Sequence, residues 1–296
     1  MLCLKSLALS AGAVSITLAQ DAAVVEIERD TNTPGRNVVV TVGQCSGTLV
    51  APDIVLTAGH CLKEDARAPK PVLRRVIDCS ALSQQAWLQG PVWEDPFTWY
   101  TPRFHPLIRV GVSSKAPLMA VRPVAYAVPH CADVALVRIE TPVPADMAQT
   151  VAIVTTPPRP GQSLARKELR HAGWGVLPTN KRPSEVRTTG PITYWSKNDC
   201  HLFALPPRRV NGMRILTGDS GAPMLVPRPG GGEAVIGVLY GKQVLDGQTC
   251  GTPQPRLPIH HGTYTPLWRG AIAGTPATDL GRWLQEMVPG AAIGLP

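Results

Sequence analysis

The chain has 296 residues and a formal net charge of +8. A hydrophobic fraction of 44% against a charged fraction of 17% excludes intrinsic disorder, which needs few apolar residues and much charge, and the length allows one large domain or two smaller ones around a sizeable core. The 31 Pro and 27 Gly both break helices, so they count against a helix bundle and favour a loop-rich β protein.

Residues 1–19 read as a secretory signal peptide. Lys5 supplies the positive start, Leu7 to Leu18 a short apolar stretch, and Thr17-Leu18-Ala19 the small residues that a signal peptidase reads. An N-terminal membrane anchor is the alternative, but Leu7–Ala19 is shorter than the ~20 residues a spanning helix needs. No later segment approaches that length. Secretion, or export to a periplasm, is therefore expected, with no membrane span after removal of the signal. The cut also removes Cys3 and leaves Cys45, Cys61, Cys79, Cys131, Cys200 and Cys250. An even set of cysteines in an exported chain reads as disulfides whose connectivity the sequence leaves open. Metal binding is the competing reading, because His60-Cys61, His130-Cys131 and Cys200-His201 are adjacent pairs. No Cys-x-x-Cys occurs, however, and neighbouring residues on a strand point to opposite faces. No metal site is expected.

Strand signals follow in order. Asn37–Val42 is β-branched and ends at Gly43. Gly47–Val50 and Ile54–Ala58 flank Ala51-Pro52-Asp53 as a hairpin. Residues 62–130 are Pro-rich, carry Trp87, Trp93 and Trp99, and show little periodicity, which predicts a long decorated loop region. Val134–Ile139 is a further strand. Pro223–Val226 and Ala234–Tyr240 form another hairpin across the Gly-rich Pro227–Gly232. Short strands with frequent turns predict a sandwich or barrels. In Asp279–Val288, the residues Leu280, Trp283, Leu284, Met287 and Val288 make one apolar helical face, with Thr278 as the expected cap. That face is expected to dock on the body of the protein.

Three segments carry chemistry together: Leu56-Thr57-Ala58-Gly59-His60-Cys61, Asp133-Val134-Ala135-Leu136-Val137-Arg138 and Gly218-Asp219-Ser220-Gly221-Ala222-Pro223. Each alone has a plain structural reading, as a residue after a strand, a strand start or a turn. In this order they supply a base, an orienting carboxylate and a nucleophile. A serine hydroxyl attacks poorly until an imidazole takes its proton. The imidazole presents the correct nitrogen when a buried carboxylate holds its other N–H. The backbone N–H groups of Gly218 and Ser220 converge on an oxyanion if the loop turns sharply, which small residues permit.

In these blocks the chain resembles the trypsin/chymotrypsin-type serine endopeptidases, whose matching blocks are Thr-Ala-Ala-His-Cys, Asp-(Ile/Val)-Ala-Leu and Gly-Asp-Ser-Gly-Gly-Pro. The resemblance implies His60 as general base, Asp133 as its orienter and Ser220 as nucleophile. It implies an all-β fold of two antiparallel six-stranded barrels with the site at their junction, the first over about 37–140, the second over about 150–270, and a C-terminal helix over about 279–288. Cys45-Ser46-Gly47-Thr48-Leu49-Val50 resembles the family's Cys-Gly-Gly-Ser-Leu-Ile strand and implies a Cys45–Cys61 disulfide. On the same resemblance Cys200 is expected with Cys250 and Cys79 with Cys131. Gly237–Gly241 resembles the strand that pairs with the substrate backbone, and Gly262-Thr263-Tyr264-Thr265 the back of the specificity pocket. Arg214 falls at the pocket floor, which implies an acidic side chain on the substrate; the alternative is a differently shaped loop with Arg214 facing solvent, since Leu216 stands where many relatives have a cysteine. Thr217, Leu239 and Gly241 are placed beside it.

The sequence departs from the family at Gly59 and Ala222, and the interval from His60 to Asp133 is longer than the family's. No Ile-Val-Gly-Gly-like start follows Arg29 or Arg36, so the site is expected to be organised without a further cleavage, although a signal-cleaved terminus near Gln20–Val24 is the alternative. The expectation is an exported serine endopeptidase, a monomer with protein or peptide substrates and no metal or organic cofactor. The rival is a catalytically silent binding module on the same fold. Nucleic acid is not an expected partner, because no Lys/Arg cluster is interleaved with aromatics.

Overall fold

The computed structural model describes residues 28–29, 32–64, 95–101, 107–175, 187–197, 200–205, 215, 218–241, 261–271 and 277–296. The segment expected to be a signal peptide lies outside them. Sixteen strands are found among the described residues, β1 to β16 in chain order. They are β1 Glu28–Arg29, β2 Val39–Val42, β3 Cys45–Ala51, β4 Ile54–Thr57, β5 Ile108–Val110, β6 Met119–Val121, β7 Pro123–Ala127 and β8 Ala135–Ile139. The second half adds β9 Ala152–Val154, β10 Leu169–Gly173, β11 Thr188–Lys197, β12 Leu202–Leu205, β13 Pro223–Pro227, β14 Glu233–Gly241 and β15 Gly262–Pro266. Helix α1, Leu280–Met287, and the short β16, Ala292–Ile293, follow.

These strands form two barrel-like sheets, so the all-β class is as expected. One sheet has seven strands in the order β6-β5-β2-β3-β4-β8-β7, and the other has nine, with β13-β10-β11-β12-β15-β14-β9-β16 as its path and β1 on β11. Both counts exceed the expected six, and the second sheet includes the two-residue segments β1 and β16. The pairings are antiparallel except that β9 runs parallel to both β14 and β16.

Both faces of β2 and β4 are buried, and alternation sorts their side chains between two cores. Val40, Val42, Val55 and Val137 pack inside the first barrel with Ile108 and Val121. Val39, Leu56 and Leu136 turn the other way, onto Trp174, Leu225, Val235 and Val238 of the second barrel and Trp283 of α1. That shared layer sets the two sheets against each other. Arg187, fully buried ahead of β11, reinforces it: its Nη1 donates to the Val39 carbonyl at 2.8 Å and to that of Gly111 at 3.2 Å.

Two expectations are corrected. The region read as decorated loop contains β5, β6 and β7, and β5 pairs with β2 while β7 pairs with β8. Strands of three to five residues beside prolines are too short to show a period. Trp99 packs against the shared core and under the Arg138 guanidinium, which sits 4.1 Å from its ring centre; Trp87 and Trp93 lie outside the described residues. The cap of α1 is Asp279, whose carboxylate accepts the Arg282 N–H at 2.9 Å. Thr278 instead accepts the His130 N–H through Oγ1 at 2.9 Å. The apolar face of α1 docks as expected, with Leu280, Trp283 and Leu284 fully buried.

Candidate active site

β4 ends at Thr57, and the chain turns at once into a 3-10 segment, Gly59–Glu64, that carries His60 and Cys61. A disulfide joins Cys61 to Cys45 at the start of β3, with the two Cα atoms 6.0 Å apart. β8 pairs with β4 in a register that sets Ala135 opposite Thr57. Asp133 lies two residues before that pair and so falls beside the His60 turn. The segment leading into it is firmly held. Cys131 adopts a left-handed φ of 58°, is itself disulfide-bonded, and accepts a 2.6 Å hydrogen bond from buried Arg269 on its carbonyl. A non-glycine residue in that region persists where its surroundings over-determine it.

Asp133 grips His60 twice. Its Oδ1 accepts the His60 backbone N–H at 2.7 Å, and its Oδ2 lies 2.6 Å from Nδ1. The carboxylate side chain is 1% exposed and the imidazole 25%, so the anion is shielded while the ring has an open side. With Nδ1 donating to the carboxylate, Nε2 is left as an acceptor. Tyr240 meets the ring edge-on at a centroid distance of 5.9 Å.

The Gly218–Ala222 turn packs against this arrangement. The Ser220 carbonyl accepts the Ser46 N–H at 2.8 Å and lies 3.7 Å from Cys61 Sγ, a contact only, since a disulfide sulfur carries no hydrogen. Ser46 is the hub of the turn. Its hydroxyl donates to the Gly218 carbonyl at 3.1 Å and accepts the Trp174 N–H at 3.0 Å, while its own carbonyl accepts from Thr57 Oγ1 at 2.7 Å. The peptides 218–219 and 220–221 are therefore both pinned, and the Ser220 N–H lies between them. Gly218 and Gly221 have φ of 98° and 84°, which favour glycine. Ala222 does not have a positive φ, so the departure from a second glycine costs nothing in the backbone.

Asp219 is buried beneath the turn. Its Oδ1 accepts the Gly175 N–H at 2.7 Å and lies 3.7 Å from His171 Nε2. His171 Nδ1 is 3.0 Å from the Tyr264 hydroxyl. Burial, with Asp219 nearby, holds the Tyr264 phenol well above its usual range, so the phenol keeps its proton.

Two further groups border the site and were not apparent from the sequence. Arg269 is nearly enclosed, and burial lowers its guanidinium to about 10. His201 is brought down to about 4, first by burial and then by Arg269, with Asp133 acting in the opposite sense. His201 thus folds neutral, and below its ordinary value near 6.5 the unfolded chain takes up the proton more readily. Its contribution is complete above pH 6.5 and is lost as the pH falls from there to about 4. Denaturant unfolding at pH 7 and pH 4 should show a loss of about 3 kcal/mol from this residue, and His201→Gln should flatten the profile over that interval.

The expected substrate residues divide. Arg214 and Thr217 lie outside the described residues. Leu239 is corrected: it is fully buried, with its N–H donating to Ala222 O at 2.9 Å and its carbonyl accepting from Gly221 at 2.8 Å. Its side chain belongs to the second barrel's core, and the strand's exposed contact with His60 is Tyr240. Gly241 has open space around its Cα. Cys200, like Cys131, is disulfide-bonded, and the partners expected for these two, Cys250 and Cys79, lie outside the described residues. Ligand atoms of Cys45, His60 and Cys61 cluster within 4.8 Å, but the two sulfurs are bonded to each other and offer no thiolate.

The family model described as Trypsin matches residues 23–85. Over those residues the chain is similar to the trypsin family. The match spans β2, β3, β4 and His60; the two barrel-like sheets among the described residues are consistent with a chymotrypsin-like fold. No curated protein matches the sequence. Among the described residues, no helix is long and apolar enough to cross a membrane.

Proposed function

We propose that this chain is an exported serine endopeptidase that cleaves peptide bonds through an acyl-enzyme. The observation that carries the reading is the double grip of buried Asp133 on His60, at 2.7 and 2.6 Å, beside the turn that holds Ser220. Ser220 Oγ attacks the substrate carbonyl while His60 Nε2 accepts its proton. Asp133 stays ionised, keeps Nδ1 as the donor and stabilises the imidazolium. The N–H groups of Gly218 and Ser220 receive the oxyanion, where one donor contributes ~3–4 kcal/mol. His60 then returns the proton to the departing amine, and water releases the acyl group by the same path. Export is supported by the signal-like 1–19 segment and by the Cys45–Cys61 disulfide, a bond typical of oxidising compartments.

The site works without a further cleavage in this reading, supported by the Gly175 N–H, which already donates to Asp219 from within the second barrel, with His171 Nε2 3.7 Å away. N-terminal sequencing of active protein checks this point, and an active form beginning near Val38 would overturn it. The main test is labelling of the purified mature protein with a fluorophosphonate. Wild type should label and Ser220→Ala should not. A folded wild type that stays unlabelled, with any propeptide removed, would instead identify a silent binding module.

A further inference from the structure

The Ser220 turn is held between two backbones. On one side Gly221 donates to Leu239 of β14, and on the other Ser46 of β3 donates to Ser220. Beyond Leu239, β14 pairs only with β15 among the described strands. Its other edge, at Tyr240 and Gly241, is where an extended peptide can add and reach Ser220 past His60. The two halves of a scissile peptide leave the attacked carbonyl in opposite directions. The half beyond the cleaved bond therefore exits over the Cys45–Cys61 disulfide, toward the turn between β2 and β3.

A pocket of about 230 Å³ lies there, lined by Thr41, Gly43, Gln44, Cys45, Arg109, Ser114 and Trp174. It abuts the Ser220 turn: a Cβ at Gly218 would stand 3.3 Å from the Trp174 carbonyl and 3.4 Å from that of Gln44. Its wall is rich in donors and holds no carboxylate. Arg109 is half-buried on β5, directly opposite Thr41, and among the described residues no acidic group pairs with it. A partly exposed guanidinium with no acidic partner among the described residues can receive an anion, and its planar fork suits a carboxylate.

We propose that this pocket takes an acidic side chain on the leaving-group half of the substrate and that Arg109 selects it. The proposal rests on the peptidase reading. Its test uses internally quenched peptides that share one acyl half and carry Glu, Gln or Lys at successive positions after the cleaved bond, with cleavage sites read by mass spectrometry. At one position wild type should favour Glu over Gln by ~10–100-fold in kcat/KM, the scale of one charge-assisted pair. Arg109→Gln should bring that ratio near unity, chiefly by lowering the rate on the Glu peptide, while the variant still labels with the fluorophosphonate, which does not occupy the leaving-group side. Arg109→Glu should shift the preference to Lys. Labelling without a Glu preference, or a preference that survives Arg109→Gln, overturns the proposal alone. Absence of both labelling and cleavage overturns the peptidase reading and this proposal with it.

Discussion

Asp133→Asn should lower kcat on a peptide substrate by on the order of 10⁴, with the fold retained. The reason lies in the two oxygens of this buried carboxylate, which both accept from the same residue, one from the His60 backbone N–H and one beside Nδ1. A carboxamide has one acceptor and one donor end. If its oxygen keeps the backbone N–H, its NH₂ faces Nδ1 and drives the imidazole into the tautomer with hydrogen on Nε2. The nitrogen that must take the Ser220 proton is then already occupied. If the amide turns over, its NH₂ opposes the His60 N–H and the 3-10 turn loosens. Steady-state kinetics at neutral pH, with the thermal midpoint measured beside them, separates these outcomes from unfolding. A folded variant that loses less than tenfold would remove Asp133 from the orienting role.

Much of this arrangement was legible before any coordinates. The β-branched run before Gly43, the hairpins around Pro52 and Gly230, and the helical face of Leu280, Trp283 and Leu284 each carry a period or a turn signal that local chemistry explains. The blocks around His60, Asp133 and Ser220 were legible as residue types in order. What sequence withheld are interactions that span the chain. The Ser46 hydroxyl reaches Gly218 and Trp174, partners 172 and 128 residues away, and nothing near Ser46 distinguishes it from any strand serine. Nothing in the sequence marks Arg269 and Arg187, yet both are enclosed, because backbone carbonyls of distant segments receive them. Thr278 and Asp279 are both competent caps, and only the contact with His130 decides between them. Leu239 sits in a strand whose alternation is broken by an irregularity between Leu239 and Gly241, so counting along the sequence assigns the wrong residue to the cleft.

Gly221→Ala should destabilise the protein by roughly 3–5 kcal/mol and displace Ser220 in whatever fraction still folds. Gly221 has φ of 84°, where a side chain costs ~1–2 kcal/mol from its own backbone. The larger part is steric. A Cβ there would stand 2.1 Å from the Ser46 carbonyl oxygen, 2.3 Å from Thr57 Oγ1 and 3.0 Å from the Ala58 amide nitrogen. Thr57 can rotate only by giving up its bond to Ser46, and the Ser46 carbonyl belongs to the central strand β3, held by β2 and β4. The turn must therefore move instead, and with it the Ser46–Ser220 bond and the Ser220 N–H. Urea denaturation gives the stability change, and fluorophosphonate labelling scaled to the folded fraction gives the displacement. Ala222→Gly is the matched control: its φ is not positive, so its expected change is about 1 kcal/mol or less, from chain entropy and one lost methyl. Equal small effects at the two positions would mean that the turn is compliant, and the close approach of Gly221 to β3 would then have no part in placing Ser220.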